Sequence, residues 1–315
     1  MENKVLIIGG TGQLGFYLAK LLIKKKINVY ISTRNPKYKK LDKFKNEFSS
    51  KINIIKLNIY NKKNIAYHLK KINPNYIFYF AGQSSVYKSF YTGKETLKSN
   101  YTGCKNILDT MVRVKIKSKF FNATSTEMFG NKKSQLKIST RKDPVSPYGT
   151  AKLMSFNLVK NYREKFKLKL YNGIISNCES YLRPKNFILP KICLAALEAK
   201  KKIKEKKVCQ FEFGNINIKR DWGWAEEYVK LIWYKMQKKE YDFFVATGKS
   251  FILKELIELA FSKLNLKWHS HIIINKKFFR KREIKTVKIN QNKNVPFVKT
   301  DGRNVVYKLL KYYDK

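Results

Sequence analysis

The chain has 315 residues, 43% of them hydrophobic, which is long enough for a substantial core and too apolar for a disordered chain. Lys+Arg number 68 against 22 Asp+Glu, a formal net charge of +46. Apolar runs such as VLII (5–8) and YIFYF (76–80) are far too short to span a membrane, and MENKVLIIGG lacks the features of a secretory signal, so a cytoplasmic location is expected. In chain order, strand-like KVLII (4–8) leads into a helical pattern over 13–25. NVYIST (28–33) follows, then a basic loop and helix, then INIIKL (52–57). A helix is expected over 64–72 and a buried strand over 76–82. Longer helices over 94–114 and 147–165 flank KFFNATS (119–125), and KLYNGIIS (169–176) continues the series. Short apolar strands alternating with helices predict an α/β fold with a doubly wound parallel sheet.

After about residue 177 the alternation loosens around Arg183, Pro184 and Pro190. A Lys-rich helix follows, then a strand over 242–248 and a helix over 252–264. The expected division is a dinucleotide-binding domain of 1–176 plus about 216–250. A smaller, partly interleaved C-terminal α/β substrate domain would take about 177–215 plus 251–315.

Cys104, Cys178, Cys193 and Cys209 show no close pairing, which argues against a disulfide framework or a zinc ribbon. Lysines recur in every segment rather than in one tail, so the charge is read as solvated surface. No specific nucleic-acid partner is expected, although a basic surface helps gather anionic small molecules. His269 and His271 would share one face of a strand, but no Cys, Asp or Glu lies close by in sequence, and no metal site is expected.

GGTGQLG (9–15) follows the first strand and opens the first helix. Gly9, Gly12 and Gly15, with Thr11, Gln13 and Leu14 between them, suit a tight turn, close approach of a pyrophosphate and helix–strand packing. This context points to a Rossmann-type dinucleotide site. NAD-specific sites place an acid after the second strand. Here ISTRNPKYKK (31–40) offers none before Asp42, whereas Arg34 supplies a charge for a 2′-phosphate. NADP is therefore expected over NAD.

SPYGTAK (146–152) begins a helix, with Ser146 as cap and Pro147 in the first turn. Tyr148 and Lys152 then lie one turn apart on the same face. A lysine beside a phenol favours phenolate, which takes the proton of an alcohol as hydride leaves. NATSTEMFG (122–130) sets Ser125 and Glu127 at the end of an apolar strand, an uncommon place for a carboxylate.

GGTGQLG, FAGQSSVYKSF (80–90), STEMFG (125–130), SPYGTAKL, NGIISNCES (172–180), KRDWGWAEEYVK (219–230) and DFFVATG (242–248) together resemble the extended short-chain dehydrogenase/reductases, most closely their GDP-mannose 4,6-dehydratase type. The resemblance spans nearly the whole chain. It implies a nucleotide-sugar 4,6-dehydratase, with oxidation at C4, removal of the C5 proton, loss of water from C6 and return of hydride to C6. It casts Tyr148 as the base at C4, Ser125 as hydrogen-bond partner of the C4 oxygen, and Glu127 as the C5 base. It places Asn58, Ile59, Phe80, Ala81, Gly82, Gln83, Cys178 and Arg183 near the cofactor. Ser84, Ser85, Asn177, Lys191, Arg220, Arg280 and Glu283 it assigns to a GDP-linked substrate. A homodimer built on helices 94–114 and 147–165 is implied, with a homotetramer as the alternative. The chain departs from the pattern at Asn58, where the family has Asp, at Cys178 for His, at Glu95 for Tyr, and at TRNPKYKK (33–40) for an Arg–Arg–Ser loop that supports tetramers. A GDP-sugar reductase or epimerase is the alternative enzyme. A non-catalytic NADP- or nucleic-acid-binding relative is favoured only by the charge.

Overall fold

Seven parallel strands make up the large sheet, and most of their residues are apolar and buried, as expected where helices cover both faces. The computed structural model describes residues 3–35, 40–48, 51–280, 282–291 and 295–315. The chain folds as two units, Met1–Gly130 with Arg141–Ile175 and Val229–Val245, and Asn131–Thr140 with Ser176–Tyr228 and Ala246–Lys315. Elements in order are β1 (Lys4–Ile8), α1 (Gln13–Lys24), β2 (Asn28–Thr33), α2 (Lys40–Phe48), β3 (Ile52–Lys56), α3 (Lys62–Ile72), β4 (Tyr76–Tyr79), α4 (Val86–Ser89), α5 (Gly93–Leu97), α6 (Gly103–Arg113), β5 (Lys119–Ser125), α7 (Pro147–Phe166) and β6 (Leu170–Ile175). There follow β7 (Asn177–Glu179), α8 (Ile188–Lys204), β8 (Phe211–Phe213), β9 (Lys219–Trp224), α9 (Ala225–Lys235), β10 (Asp242–Val245), β11 (Ser250–Ile252), α10 (Leu253–Ser262), β12 (Ile272–Ile274) and α11 (Gly302–Tyr313).

The first unit's sheet runs β10-β6-β5-β4-β1-β2-β3, all parallel. Its order reverses between β1 and β4, the topological switch point where open α/β sheets bind ligands. One polar rung crosses this apolar sheet. Asn122, Asn172 and Asp242 stand in register on β5, β6 and β10. Asn122 Nδ2 donates to Asn172 Oδ1 (3.0 Å), and Asn172 Nδ2 donates to Asp242 Oδ1 (3.0 Å). Helix α7 is tied to both ends: Asn122 reaches Ser155 Oγ at 3.4 Å, and Arg163 reaches both Asp242 oxygens at 2.9 and 3.0 Å.

The helix expected over 94–114 is interrupted. Lys98–Thr102 forms a π-helical turn between α5 and α6. Ser99, Asn100, Tyr101, Thr102 and Gly103 are all poor helix formers, so the interruption falls where regular helix is cheapest to break. It turns Asn100 inward, where it is buried. Glycine is required at 103, because a Cβ there would lie 2.3 Å from the Tyr79 hydroxyl.

In the second unit β9 pairs antiparallel with β11 and parallel with β7, and β8 pairs with β12. Helices α8, α10 and α11 pack with Trp222, Trp224 and Phe213 in one core. Residues 216–228 and 246–250, expected with the large sheet, belong here, because β9 takes its partners from β7 and β11. Residues 131–140 also join this unit, held by Leu136, whose amide donates to Lys288 O at 2.7 Å. Trp268–Ser270 is a 3₁₀ turn rather than the expected strand. His269 stacks on Trp268 and His271 on Phe261, so the two imidazoles are occupied by different aromatic partners. Residues 36–39 of the loop expected to bear on tetramer formation lie outside the described residues. Among the described residues no helix is long and apolar enough to cross a membrane.

Candidate active site

The turn after β1 is built by glycines with different jobs. Gly9 has φ +82°, and a Cβ on it would sit 2.6 Å from Ala81 N. A Cβ on Gly15 would sit 2.4 Å from Gly10 O. These two permit close packing of the turn against the segment after β4 and of α1 against the turn. A Cβ on Gly12 meets nothing nearer than 3.5 Å, so here glycine keeps open space at the mouth of α1. Thr11, Gln13 and Leu14 are half-buried around it, and among the described residues no side chain caps α1. An uncapped helix N-terminus behind an open glycine suits a pyrophosphate.

Beyond β4 the segment Phe80–Ala81–Gly82–Gln83 runs beside this turn, with Phe80 N donating to Ile8 O at 2.8 Å. Gln83 is held by Ser99 Oγ on its amide (3.2 Å) and by Thr96 Oγ1 on its side chain (3.0 Å). Its Oε1 accepts from Ser85 N, and Ser85 Oγ in turn caps α4. Ser84 is exposed. Asn100, which the sequence reading did not single out, donates to Gln83 O (3.1 Å) and Thr96 O (2.8 Å), while its buried Oδ1 has no partner among the described residues. A Cβ on Gly82 would lie 2.4 Å from that oxygen. A buried orphan acceptor beside an open glycine turn fits a ligand carrying hydroxyls, such as the ribose of a dinucleotide. The signal available in sequence was the run of poor helix formers inside an otherwise helical stretch.

Arg34, at the end of β2, and Asn58, after β3, line one cavity of about 550 Å³ with Lys56, Tyr60, Asn61 and Asn64. Ile59 is buried beneath, in the core with Leu57 and Ile65.

The four expected catalytic residues are Ser125, Glu127, Tyr148 and Lys152, each 8% exposed, so all four are shielded from bulk water. Ser125 Oγ accepts from Glu127 N at 3.3 Å, which starts a 3₁₀ turn over Thr126–Phe129 and fixes Glu127 just past the end of β5. Ser146 caps α7 by accepting from Gly149 N at 3.1 Å, with Pro147 at the first position. Gly149 then sits directly on the turn, since a Cβ there would lie 2.6 Å from Glu127 O. One helical turn on, Lys152 Nζ donates to Ala123 O at 2.7 Å and lies 5.6 Å from the Tyr148 ring centroid. Burial brings the Lys152 ammonium down to about 8 from its ordinary 10.5. The arrangement offers an alcohol a phenol–ammonium pair and a second, acidic group held on an adjoining turn.

The second unit holds the remaining candidates. Glu283 accepts from Asn215 Nδ2 (3.2 Å), and its Oε1 lies 3.6 Å from Arg280 Nε. Lys191 Nζ donates to Glu212 O (2.7 Å) and stands over the Phe213 ring at 4.5 Å, with Phe278 at 5.7 Å. Arg220 was expected to reach a phosphate. It is 2% exposed, and its guanidinium donates to Ile284 O (2.6 Å) and Lys219 O (3.0 Å), so here it clasps the segment after Glu283 to β9. Asn177 opens β7 and is half-buried. Cys178 is buried, and burial pushes its thiol far above the ordinary range, so it is no thiolate. Arg183 stacks on Phe187 at 3.6 Å and faces Glu179 Oε2 at 3.6 Å.

A tyrosine and lysine buried one turn apart, on a doubly wound sheet whose glycine turn is open to a dinucleotide, place the chain among the extended short-chain dehydrogenase/reductases. The family model for GDP-mannose 4,6 dehydratase matches residues 6–301, and the chain belongs to that family. It is 30% identical to GDP-mannose 4,6 dehydratase 1 of Arabidopsis thaliana over 91% of this chain and 82% of the relative. It is likewise 30% identical to the Homo sapiens GDP-mannose 4,6 dehydratase, over 90% of this chain and 82% of the relative. The fold is shared with DesIV, a dTDP-glucose 4,6-dehydratase of Streptomyces venezuelae solved with NAD and TYD bound. That match has a TM-score of 0.83 and 15% identity, covering 99% of this chain and 97% of that one.

Proposed function

We propose that the chain dehydrates GDP-mannose to its 4-keto-6-deoxy derivative, using NADP as a hydride carrier that ends each turnover unchanged. The observation that carries this reading is Glu127, a shielded carboxylate packed under the first turn of the helix that bears Tyr148 and Lys152. A sugar oxidised only at C4 has no need of that acid. Elimination does.

A dinucleotide held at the glycine turn would supply the hydride chemistry, acceptance at C4 and return at C6. The protein moves the protons. Tyr148, with Lys152 Nζ 5.6 Å from its ring centroid, accepts the proton of the C4 hydroxyl, while Ser125 Oγ donates a hydrogen bond to the same oxygen. The 4-ketone acidifies the C5 hydrogen, which Glu127 removes as a proton and passes to the C6 hydroxyl, so that water leaves. C5 then regains a proton, matching the one Tyr148 took from the C4 hydroxyl, as hydride adds at C6. Arg34, exposed at its cavity with no acid ahead of Asp42, supports NADP as the dinucleotide. Lys191, Arg280 and Glu283 are assigned to the nucleotide end of the substrate, and Arg220 to holding the segment that carries Glu283. A homodimer through the helices at 93–113 and 147–166 is supported by exposed Tyr87, Tyr91, Leu97 and Met154 on or beside them.

The test is incubation with GDP-mannose and NADP⁺, following product mass. Loss of one water with no net NADPH consumed is expected. Glu127→Gln should still oxidise C4 but lose about 10²–10⁴-fold in water loss. Full dehydration by that variant, or net reduction or epimerisation by the native protein, would refute the reading.

A further inference from the structure

The cavity at the ends of β2 and β3 is lined by cations and amides. Arg34 and Lys56 are both exposed there, and neither has an ion-pair partner among the described residues. Lys56 stands in register with Thr33, the residue before Arg34, so the two cations emerge from neighbouring strands at the same sheet edge. Three asparagines complete the polar wall, and their orientation is dictated by the backbone. Asn58 Oδ1 accepts from Tyr60 N (3.0 Å), Asn61 Oδ1 from Asn64 N (3.0 Å), and Asn64 Oδ1 from Asn58 N (2.9 Å). With every carboxamide oxygen turned to a backbone N–H, each of these amides is held in one orientation, which fixes where its Nδ2 donor lies. Tyr60 also lines the cavity, with Lys98 Nζ 4.6 Å from its ring centroid. The carboxylate that an Asp at position 58 would bring is absent. Glu95, the acid that bears electrostatically on Tyr60, is exposed and does not line the space.

A lining with two cations, amides of fixed orientation and no carboxylate is complementary to a dianion, whereas a ribose hydroxyl pair in NAD sites is held by an acid. In a chain with 68 Lys+Arg one cation at a cavity means little. The locked asparagine oxygens are what distinguish this one. We propose that Lys56 is the second cation of a two-point clamp, with Arg34, on the 2′-phosphate of NADP, and that it sets the choice of NADP over NAD. The proposal rests on the reading of the first unit as an NADP site and adds a residue to it. Arg34 gives a planar fork and Lys56 a point charge from the adjoining strand, so each holds a different edge of the phosphate.

The experiment measures equilibrium binding by calorimetry, without turnover, using NADP⁺, NAD⁺ and adenosine 2′,5′-bisphosphate as probes. The proteins are wild type, Lys56→Ala, Arg34→Ala and Lys56→Arg. Wild type should bind NADP⁺ at least about tenfold tighter than NAD⁺, since a charge-assisted bond to phosphate is worth that or more. Lys56→Ala should weaken NADP⁺ and the bisphosphate by about tenfold while changing NAD⁺ by less than about twofold, and Lys56→Arg should restore most of the loss. An Arg34→Ala protein that loses the preference while Lys56→Ala keeps it overturns the role of Lys56 and leaves the NADP reading intact. A Lys56→Ala protein weakened equally toward both dinucleotides also overturns it, as general attraction. A wild type that binds NAD⁺ as tightly as NADP⁺ overturns the NADP reading itself.

Discussion

Gly149→Ala adds one methyl group at the place where α7 rests on the turn that carries Glu127. The new carbon would lie 2.6 Å from Glu127 O and 3.1 Å from Pro144 Cβ. Ordinary contact begins near 3.4 Å, so helix and turn must part by about 0.8 Å. The contact is with backbone, which cannot swing aside as a flexible side chain would. Alanine favours helix over glycine by about 1 kcal/mol, and overpacking costs about 1–3 kcal/mol, so the net loss of stability is about 0–2 kcal/mol. The variant should therefore fold. Its chemistry should suffer far more, because the shift separates Tyr148 and Lys152 from Ser125 and Glu127. Misplacement by ~1 Å costs about 10²-fold where groups must act together, which puts the expected fall in kcat between about tenfold and a hundredfold. Dinucleotide affinity, measured separately by calorimetry, should change by less than about threefold, since the glycine turn is untouched. A Gly149→Ala enzyme with normal thermal stability and kcat within about twofold of wild type would refute the claim that this contact sets the catalytic spacing.

Three further outcomes are expected. Tyr148→Phe should abolish oxidation at C4 while binding NADP⁺ with little change, checked by single-turnover absorbance and calorimetry; retained oxidation would remove Tyr148 as the base. Because burial holds the Lys152 ammonium near 8, its charge is present below that pH and lost above it, so activity should fall on the alkaline side with a midpoint near pH 8. Lys152→Arg, charged at every working pH, should lose that limb in whatever activity remains, and a pH–rate profile decides it. Burial also raises Glu179 to about 7, so the folded chain keeps a proton that the unfolded chain releases from about pH 4.5 upward. Stability should decline as pH rises through that window, by up to about 3 kcal/mol, and Glu179→Gln should flatten the decline in thermal unfolding scans.

Much of the catalytic unit is legible in the sequence, because its devices are local. Gly9, Gly12 and Gly15 declare a turn through their spacing, and Ser146-Pro147 declares the start of α7, which alone puts Tyr148 and Lys152 one turn apart. Harder to read were features decided by distant partners. The π turn at 98–102 forms where Asn100 finds acceptors on Gln83 and Thr96, and only the first of these lies outside its own helical segment. The strand KRDWGW reads in sequence as part of the large-sheet domain, but its membership is set by pairing with Asn177–Glu179 and Ser250–Ile252. Arg220 reads as a free cation in sequence, yet two backbone carbonyls take it inward. His269 and His271 alternate like strand residues, but aromatic stacking on Trp268 and Phe261 accompanies a 3₁₀ turn instead.

The amide–carboxylate rung across β5, β6 and β10 has a consequence for alignment. Parallel strands that are greasy on both sides can slide past one another by two residues and still bury the same faces, so their apolar side chains hardly resist a slip. Sliding β5 against β6 would strand Asn122 and Asn172 opposite hydrocarbon, at about 1–3 kcal/mol for each orphaned group. The rung thus acts as a key that admits one setting of the sheet. With that setting made, the distance from Asn122 to the end of its strand is fixed by chain geometry, and so is the point at which Ser125 and Glu127 leave it.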